Sequence, residues 1–312
     1  MSETRASRIP RRIQGAVPVL VAPFDDTGAV DEDSLRRQID FCVEAGSDAI
    51  AFGMGTESHM LTDPERERVW TVAADQLDGA MPLIAATAHA SREGTIALTQ
   101  LALDCGAHGA MVNPAPLGGD ALVSLFRDLS EQVALPLMIQ DANGNAPADV
   151  LLQAVREAPR VNSLKLESPG APDKIGRIVE GLAEGSVEDV TVVGGSDGTL
   201  LPEEFDRGAV GTLPHPAIID AFRQYCDLRA SGDAADADEH YYRVILPLNR
   251  LTAAGAGNSI WLHKEIFRRA GILGSSYCRI GAHPMPEWVM DAIWRHIEST
   301  DVAISRLIRS NA

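Results

Sequence analysis

Lysine is scarce in this chain. It occurs only at positions 165, 174 and 264, so nearly all of the 27 basic residues are arginine and each lysine invites a separate explanation. Basic residues are outnumbered by 44 acidic ones, and a net charge of −17 repels phosphate backbones and anionic membranes alike, which excludes nucleic acid as an expected partner. The four cysteines (Cys42, Cys105, Cys226, Cys278) lack the paired spacings of a zinc site or a disulfide framework, so a reducing cytoplasm is expected. No run of about 18 apolar residues occurs, and the N-terminal MSETRASRIPRR is polar and basic with no signal-like apolar stretch, so neither a membrane span nor secretion is expected. Without a His-Glu-x-x-His or Asp-x-Asp pattern, no metal is expected either.

What is present is alternation. Short apolar runs at Gly15 to Ala22, Asp48 to Phe52, Pro82 to Thr87, Ala110 to Asn113, Pro136 to Gln140, Val161 to Leu166, Val190 to Val193 and Ala209 to Leu213 are separated by segments of helical periodicity. Asp63-Pro64-Glu65 opens one such helix with an N-cap, a proline at the first position and an acidic first turn. Continuously apolar strands separated by amphipathic helices indicate a parallel sheet with covered faces, and eight such units are what a (β/α)8 TIM barrel needs. The reading is α/β, with a polar lead-in at 1–14, a barrel domain at 15–215 and a C-terminal helical region at 216–312. That last region is expected to hold helices at Ile218 to Ala230, Asp236 to Ala253, Ser259 to Ala270 and Pro286 to Ser310. The acidic stretch Ser231 to His240 reads as a solvated linker, and His108, His240 and His296 as surface residues. A doubly wound open sheet competes, but Val-Ala-Pro-Phe-Asp-Asp after the first strand is not its glycine-rich turn.

In such barrels the chemistry lies at the C-terminal ends of the strands. Lys165 sits near the end of an apolar strand, where a buried cation must pair with a carboxylate or lose its proton, and a deprotonated lysine is a nucleophile toward ketones. Glu167, two residues on, shares its face. A purely structural ion pair inside the barrel is the competing reading. After strand two, Gly53 to His59 offers backbone N–H groups with Gly55, Thr56 and Ser58 to hold a carboxylate, or simply a tight turn before a capped helix. Gln140 and Asp141 end strand five facing opposite ways, His89 follows strand three, and Gly195 and Ser196 lie where many barrels bind phosphate.

Together these segments resemble the dihydrodipicolinate synthase and N-acetylneuraminate lyase family. Val21-Ala-Pro-Phe24 is similar to the family's Thr-Pro-Phe, Gly53-Met-Gly-Thr-Glu57 to its Gly-Thr-Thr-Gly-Glu, Leu164-Lys165-Leu-Glu167 to its lysine motif and Gly195-Ser-Asp197 to its Gly-Asp-Asp. The chain departs from the usual pattern in two places. Gln140-Asp141 replaces Tyr-Asn, with no tyrosine anywhere before Tyr225, and Met54-Gly55 replaces the paired threonines. Pro136-Leu-Met-Ile-Gln-Asp-Ala142, Lys165-Leu-Glu-Ser-Pro-Gly170 and His283-Pro-Met-Pro-Glu287 resemble instead the L-2-keto-3-deoxyarabonate dehydratase branch.

The resemblance implies a Schiff base at Lys165 with no added cofactor, acid–base work by Glu167 or its rival Asp141, a small 2-keto acid substrate and a homo-oligomer, commonly a tetramer. The expected reaction is dehydration of a 2-keto-3-deoxy sugar acid. Aldol cleavage releasing pyruvate, or keto-acid binding without catalysis, are the alternatives. A flavin or phosphosugar barrel is the more distant one.

Overall fold

A computed structural model describes residues 12–142, 144, 146–255, 259–281 and 284–311. Most of the lead-in, and His283 of the His283 to Glu287 run, therefore lie outside the described residues. The chain divides into two compact units, one formed by Leu77–Leu213 with the segment up to Gln14, the other by Gly15–Gln76 and Pro214–Ala312.

The second of these units opens with β1 (Gly15–Ala16), α1 (Glu32–Glu44), β2 (Ile50–Ala51) and α2 (Asp63–Leu77). The first apolar run is buried from Ala16 to Phe24, but its regular ladder is only two residues long. Pro18 has no N–H to give, and pairing resumes at Val19, which bridges Ala51 in parallel. In α1, Asp31 caps the first turn by accepting from the Ser34 N–H, and Leu35, Ile39 and Cys42 form the buried stripe.

The other unit carries β3 (Leu83–Ala86), α3 (Arg92–Asp104), β4 (Gly109–Val112), α4 (Gly119–Gln132), β5 (Leu137–Asp141), α5 (Ala148–Glu157), β6 (Val161–Leu166), α6 (Ala171–Glu184), β7 (Thr191–Val193), α7 (Leu201–Asp206) and β8 (Gly211–Thr212). Strands β3 to β7 pair in chain order, each parallel to the next, and Gly194 bridges Thr212 in parallel beyond β7. All five residues of β5 are buried, as a strand covered on both faces requires. Alternating strands and helices with a parallel sheet make the chain α/β and are consistent with a TIM barrel.

The C-terminal region departs from expectation in two places. After α8 (Ile219–Ser231), Gly232 adopts the left-handed conformation that ends the helix, and the acidic stretch then folds into α9 (Ala234–His240) with Ala237 and His240 buried. It is not a solvated linker, because Ala237 and His240 pack inward while Asp233, Asp236 and Glu239 face out. His240 Nε2 lies 2.9 Å from the Ala221 carbonyl and His296 Nε2 2.8 Å from that of Val244, so these two histidines are structural. His108 likewise accepts the Leu83 N–H at 3.2 Å.

The continuation runs through a π-helical turn at Tyr241–Ile245 into α10 (Leu246–Ala254), where Pro247 removes a donor and crowds the carbonyl four residues back. After α11 (Ser259–Arg269), the single helix expected over Pro286 to Ser310 is two, α12 (Glu287–Ser299) and α13 (Ala303–Asn311). The N–H of Ala303 donates to Asp220 at 2.6 Å, a cap 83 residues distant that local periodicity does not reveal. Among the described residues, no helix is long and apolar enough to cross a membrane.

Candidate active site

The β5–β6 register places Gln140 beside Lys165 and Asp141 beside Leu166. Strand alternation then sorts the polar side chains, with Gln140 on the Lys165 face and Asp141 on the opposite one. The ladder extends one residue past β6, the Glu167 N–H donating to the Asp141 carbonyl at 3.2 Å, so Glu167 is held by backbone as firmly as a strand residue.

Lys165 is 4% exposed, and its Nζ lies 2.8 Å from Glu167 Oε2. The other carboxylate oxygen accepts from Gln140 Nε2 at 2.6 Å. The Ser196 N–H donates to Oε2 at 3.3 Å, and the Ser196 hydroxyl donates to the Glu167 backbone carbonyl at 3.0 Å. Burial pushes the Glu167 carboxyl up, but the Lys165 ammonium and the donors on it outweigh burial and hold it below the usual carboxylate range. The pair is thus an ammonium and a carboxylate able to exchange one proton.

Gly195 makes this approach possible. A Cβ there would lie 2.8 Å from Glu167 Cβ and 2.9 Å from Lys165 Cε, so only glycine admits both side chains against the turn. Ser196 and Asp197 follow with φ of 50° and 53°, a left-handed pair that turns the Ser196 N–H onto the carboxylate.

Asp141 is spent elsewhere. It accepts from Lys174 Nζ at 2.6 Å, from the Ser168 hydroxyl at 3.1 Å and from the Gly144 N–H at 3.1 Å. His89 is exposed and its Nδ1 accepts the Ser91 N–H at 3.0 Å, capping a turn, with no bond to the Lys165 cluster among the described residues.

Gly55, Thr56 and Ser58 belong to the other unit. Thr56 Oγ1 accepts the Gly53 N–H at 2.9 Å and Ser58 Oγ donates to the Gly53 carbonyl at 2.8 Å, so both hydroxyls shape the turn. Glu57 in the same turn pairs with Lys264 and accepts the Ile280 N–H at 2.9 Å. Sequence reasoning gave no partner to Lys264, whose scarcity as a residue type was the only signal.

It also missed Glu204, a 2% exposed carboxyl on α7. Three residues after fully buried Leu201, it falls on the inward face of that helix, and that spacing was the available clue. Burial, then the charges of Glu167 and Glu203, push its pKa up to about 8.

The family model for the dihydrodipicolinate synthetase family matches residues 12–297. An L-2-keto-3-deoxyarabonate dehydratase of Azospirillum brasilense is 29% identical over 292 residues, covering 90% of this chain and 91% of that one. A 4-hydroxy-tetrahydrodipicolinate synthase of Pseudomonas aeruginosa is 30% identical over 237 residues, 72% of this chain and 78% of the relative. Among solved structures, the dihydrodipicolinate synthase of Rhodopseudomonas palustris superposes with a TM-score of 0.84 at 24% identity, covering 92% of this chain and 98% of that one. YagE of E. coli K12, solved in complex with pyruvate, does so with a TM-score of 0.81 at 19% identity over 96% of this chain and 98% of that one.

Proposed function

The chain belongs to the dihydrodipicolinate synthetase family, whose members are lyases, and on that premise we propose that it is a Schiff-base hydro-lyase acting on a 2-keto-3-deoxy sugar acid such as L-2-keto-3-deoxyarabonate. The observation that carries the proposal is the Lys165–Glu167 contact of 2.8 Å at the end of β6, with Gln140 where a proton-carrying tyrosine would otherwise stand. Similarity to the Azospirillum dehydratase supports the choice of substrate class.

Transfer of the Lys165 proton to Glu167 frees the amine, which attacks the C2 ketone, and loss of the carbonyl oxygen as water leaves an iminium. The iminium acidifies C3. Glu167, a carboxylate again once it has given its first proton to the departing carbonyl oxygen, takes the C3 proton to give an enamine, then returns it to the C4 hydroxyl as the C3–C4 double bond forms and water departs. Hydrolysis of the remaining imine regenerates the Lys165 amine, for a net loss of one water. On this reading the eight strand segments form the (β/α)8 barrel of the family, the assembly is a homo-oligomer, commonly a tetramer, and Lys165 serves in place of an added cofactor.

Borohydride reduction in the presence of pyruvate should add the ligand's mass to Lys165, and mass spectrometry of the product from 2-keto-3-deoxyarabonate should show loss of water. Release of pyruvate would move the chain to the aldol reading. No adduct with any 2-keto acid would remove the Schiff base altogether and leave keto-acid binding.

A further inference from the structure

Glu204 has no role in the chemistry above, yet it is buried against the turn that carries Gly195. Its Oε2 has no hydrogen-bond partner among the described residues. Gly194 and Gly195 occupy the space beside the two carboxyls. Any side chain at 194 would strike the Glu204 carboxyl, and any side chain at 195 would strike Glu167 and Lys165. Two consecutive residues without a Cβ therefore bring a second carboxyl up to the pair. An unpaired carboxylate in such surroundings is costly, so the group is kept neutral by holding its proton.

We propose that Glu204 is a positioning residue for the Lys165–Glu167 pair, a buried neutral carboxyl behind the Gly194–Gly195 turn whose ionisation adds a second negative charge and so raises the cost of freeing the Lys165 amine. The charged groups that bear on it are Glu167 and Lys165 from the end of β6 and Glu203 on its own helix. Its pKa of about 8 places the change within the working range of an enzyme. Below that value the site holds one net-neutral ion pair. Above it, one ammonium faces two carboxylates and gives up its proton less readily.

The inference rests on the Schiff-base reading for its effect on chemistry, but not for the titration itself, and two measurements keep these apart. In the free protein, an infrared titration should show a protonated-carboxyl band that persists at neutral pH, disappears near pH 8 and is missing in Glu204→Gln. Its survival in Glu204→Gln, or the absence in wild type of any carboxyl protonated at pH 7, would overturn the proposal, the second result being readable even if the variant does not fold. In the second measurement, the rate of borohydride trapping with pyruvate is followed against pH. Glu204→Gln cannot ionise, so its alkaline rise should lie about one pH unit below that of wild type. Superimposed profiles would show that Glu204 does not act on the pair, whereas no trapping in wild type at any pH would count against the Schiff base and leave the infrared result to decide the charge state.

Discussion

Each unit of the molecule contains one buried lysine–glutamate pair, and the two are built for opposite ends. Lys264 and Glu57 are completely enclosed, with 0% of either side chain exposed. The Lys264 ammonium also donates to the Tyr277 carbonyl at 2.8 Å and sits 4.5 Å from the centre of the Phe24 ring, while the second Glu57 oxygen takes the Ile280 N–H. Every valence of that pair has a destination. Lys165 has Glu167 as its one ion-pair partner among the described residues, the two side chains retain 5% and 14% exposure, and the residue beside them is glycine. A buried lysine is therefore not itself a sign of chemistry. What marks Lys165 is an ammonium whose one ion-pair partner among the described residues is a carboxylate close enough to take its proton.

The comparison breaks most visibly if each lysine is removed in turn. Lys264→Ala leaves Glu57 buried and unpaired, which should cost about 3–5 kcal/mol in denaturant unfolding. Replacing both partners, as in Glu57→Gln with Lys264→Met, should recover much of that loss. Lys165→Ala should cost less, since Gln140 and Ser196 still donate to Glu167, while abolishing turnover and the borohydride adduct. Equal destabilisation by the two alanine variants, with trapping intact in Lys165→Ala, would make both pairs structural.

The next test separates the carboxylates on the two faces of the β5–β6 ladder. Glu167→Gln keeps the shape but cannot accept a proton, so turnover should fall by about 10²- to 10⁴-fold while the adduct at Lys165 still forms. Asp141→Asn should leave turnover near normal, because the Asp141 oxygens serve Lys174, Ser168 and the Gly144 N–H. A collapse in Asp141→Asn beside near-normal turnover in Glu167→Gln would transfer the proton-carrying role to Asp141.

These particular residues also show what the sequence could reveal. Lys165, Glu167, Gln140 and Asp141 were legible because strands alternate with period two, and polar residues interrupting an apolar strand end declare their faces locally. The pairing of Lys264 with Glu57 was not legible, since 207 residues separate the partners and Lys264 looks like any helix cation. Glu204 was half legible, its spacing from Leu201 indicating the inward face but not what lies across from it. The acidic stretch misled because composition reports charge, whereas Ala237 and His240 report packing only once the helix is formed. Most helix and strand positions followed from periodicity. The split between α12 and α13 did not, because its cap comes from Asp220.

The smallest expected effect sharpens the contrast through pH. Arg279 holds Glu65 down to about 2 through hydrogen bonds that overcome burial, with Thr62 adding to them. A carboxyl depressed in the folded state binds its proton later than in the unfolded chain as pH falls. Its contribution is therefore complete above the ordinary value of 4.5 and lost as pH drops through about 2. Glu204 has the opposite sign. Raised to about 8, it contributes fully below 4.5, and that contribution is lost as pH rises through about 8. Glu65→Gln should thus lower stability at neutral pH and flatten the acid limb, by on the order of 1 kcal/mol because the pair is partly exposed, with the alkaline limb unchanged. Glu204→Gln should flatten the alkaline limb alone. Denaturant midpoints measured from pH 3 to 9 would resolve the two, and an acid limb unchanged in Glu65→Gln would mean that the Arg279 contact is too well solvated to contribute.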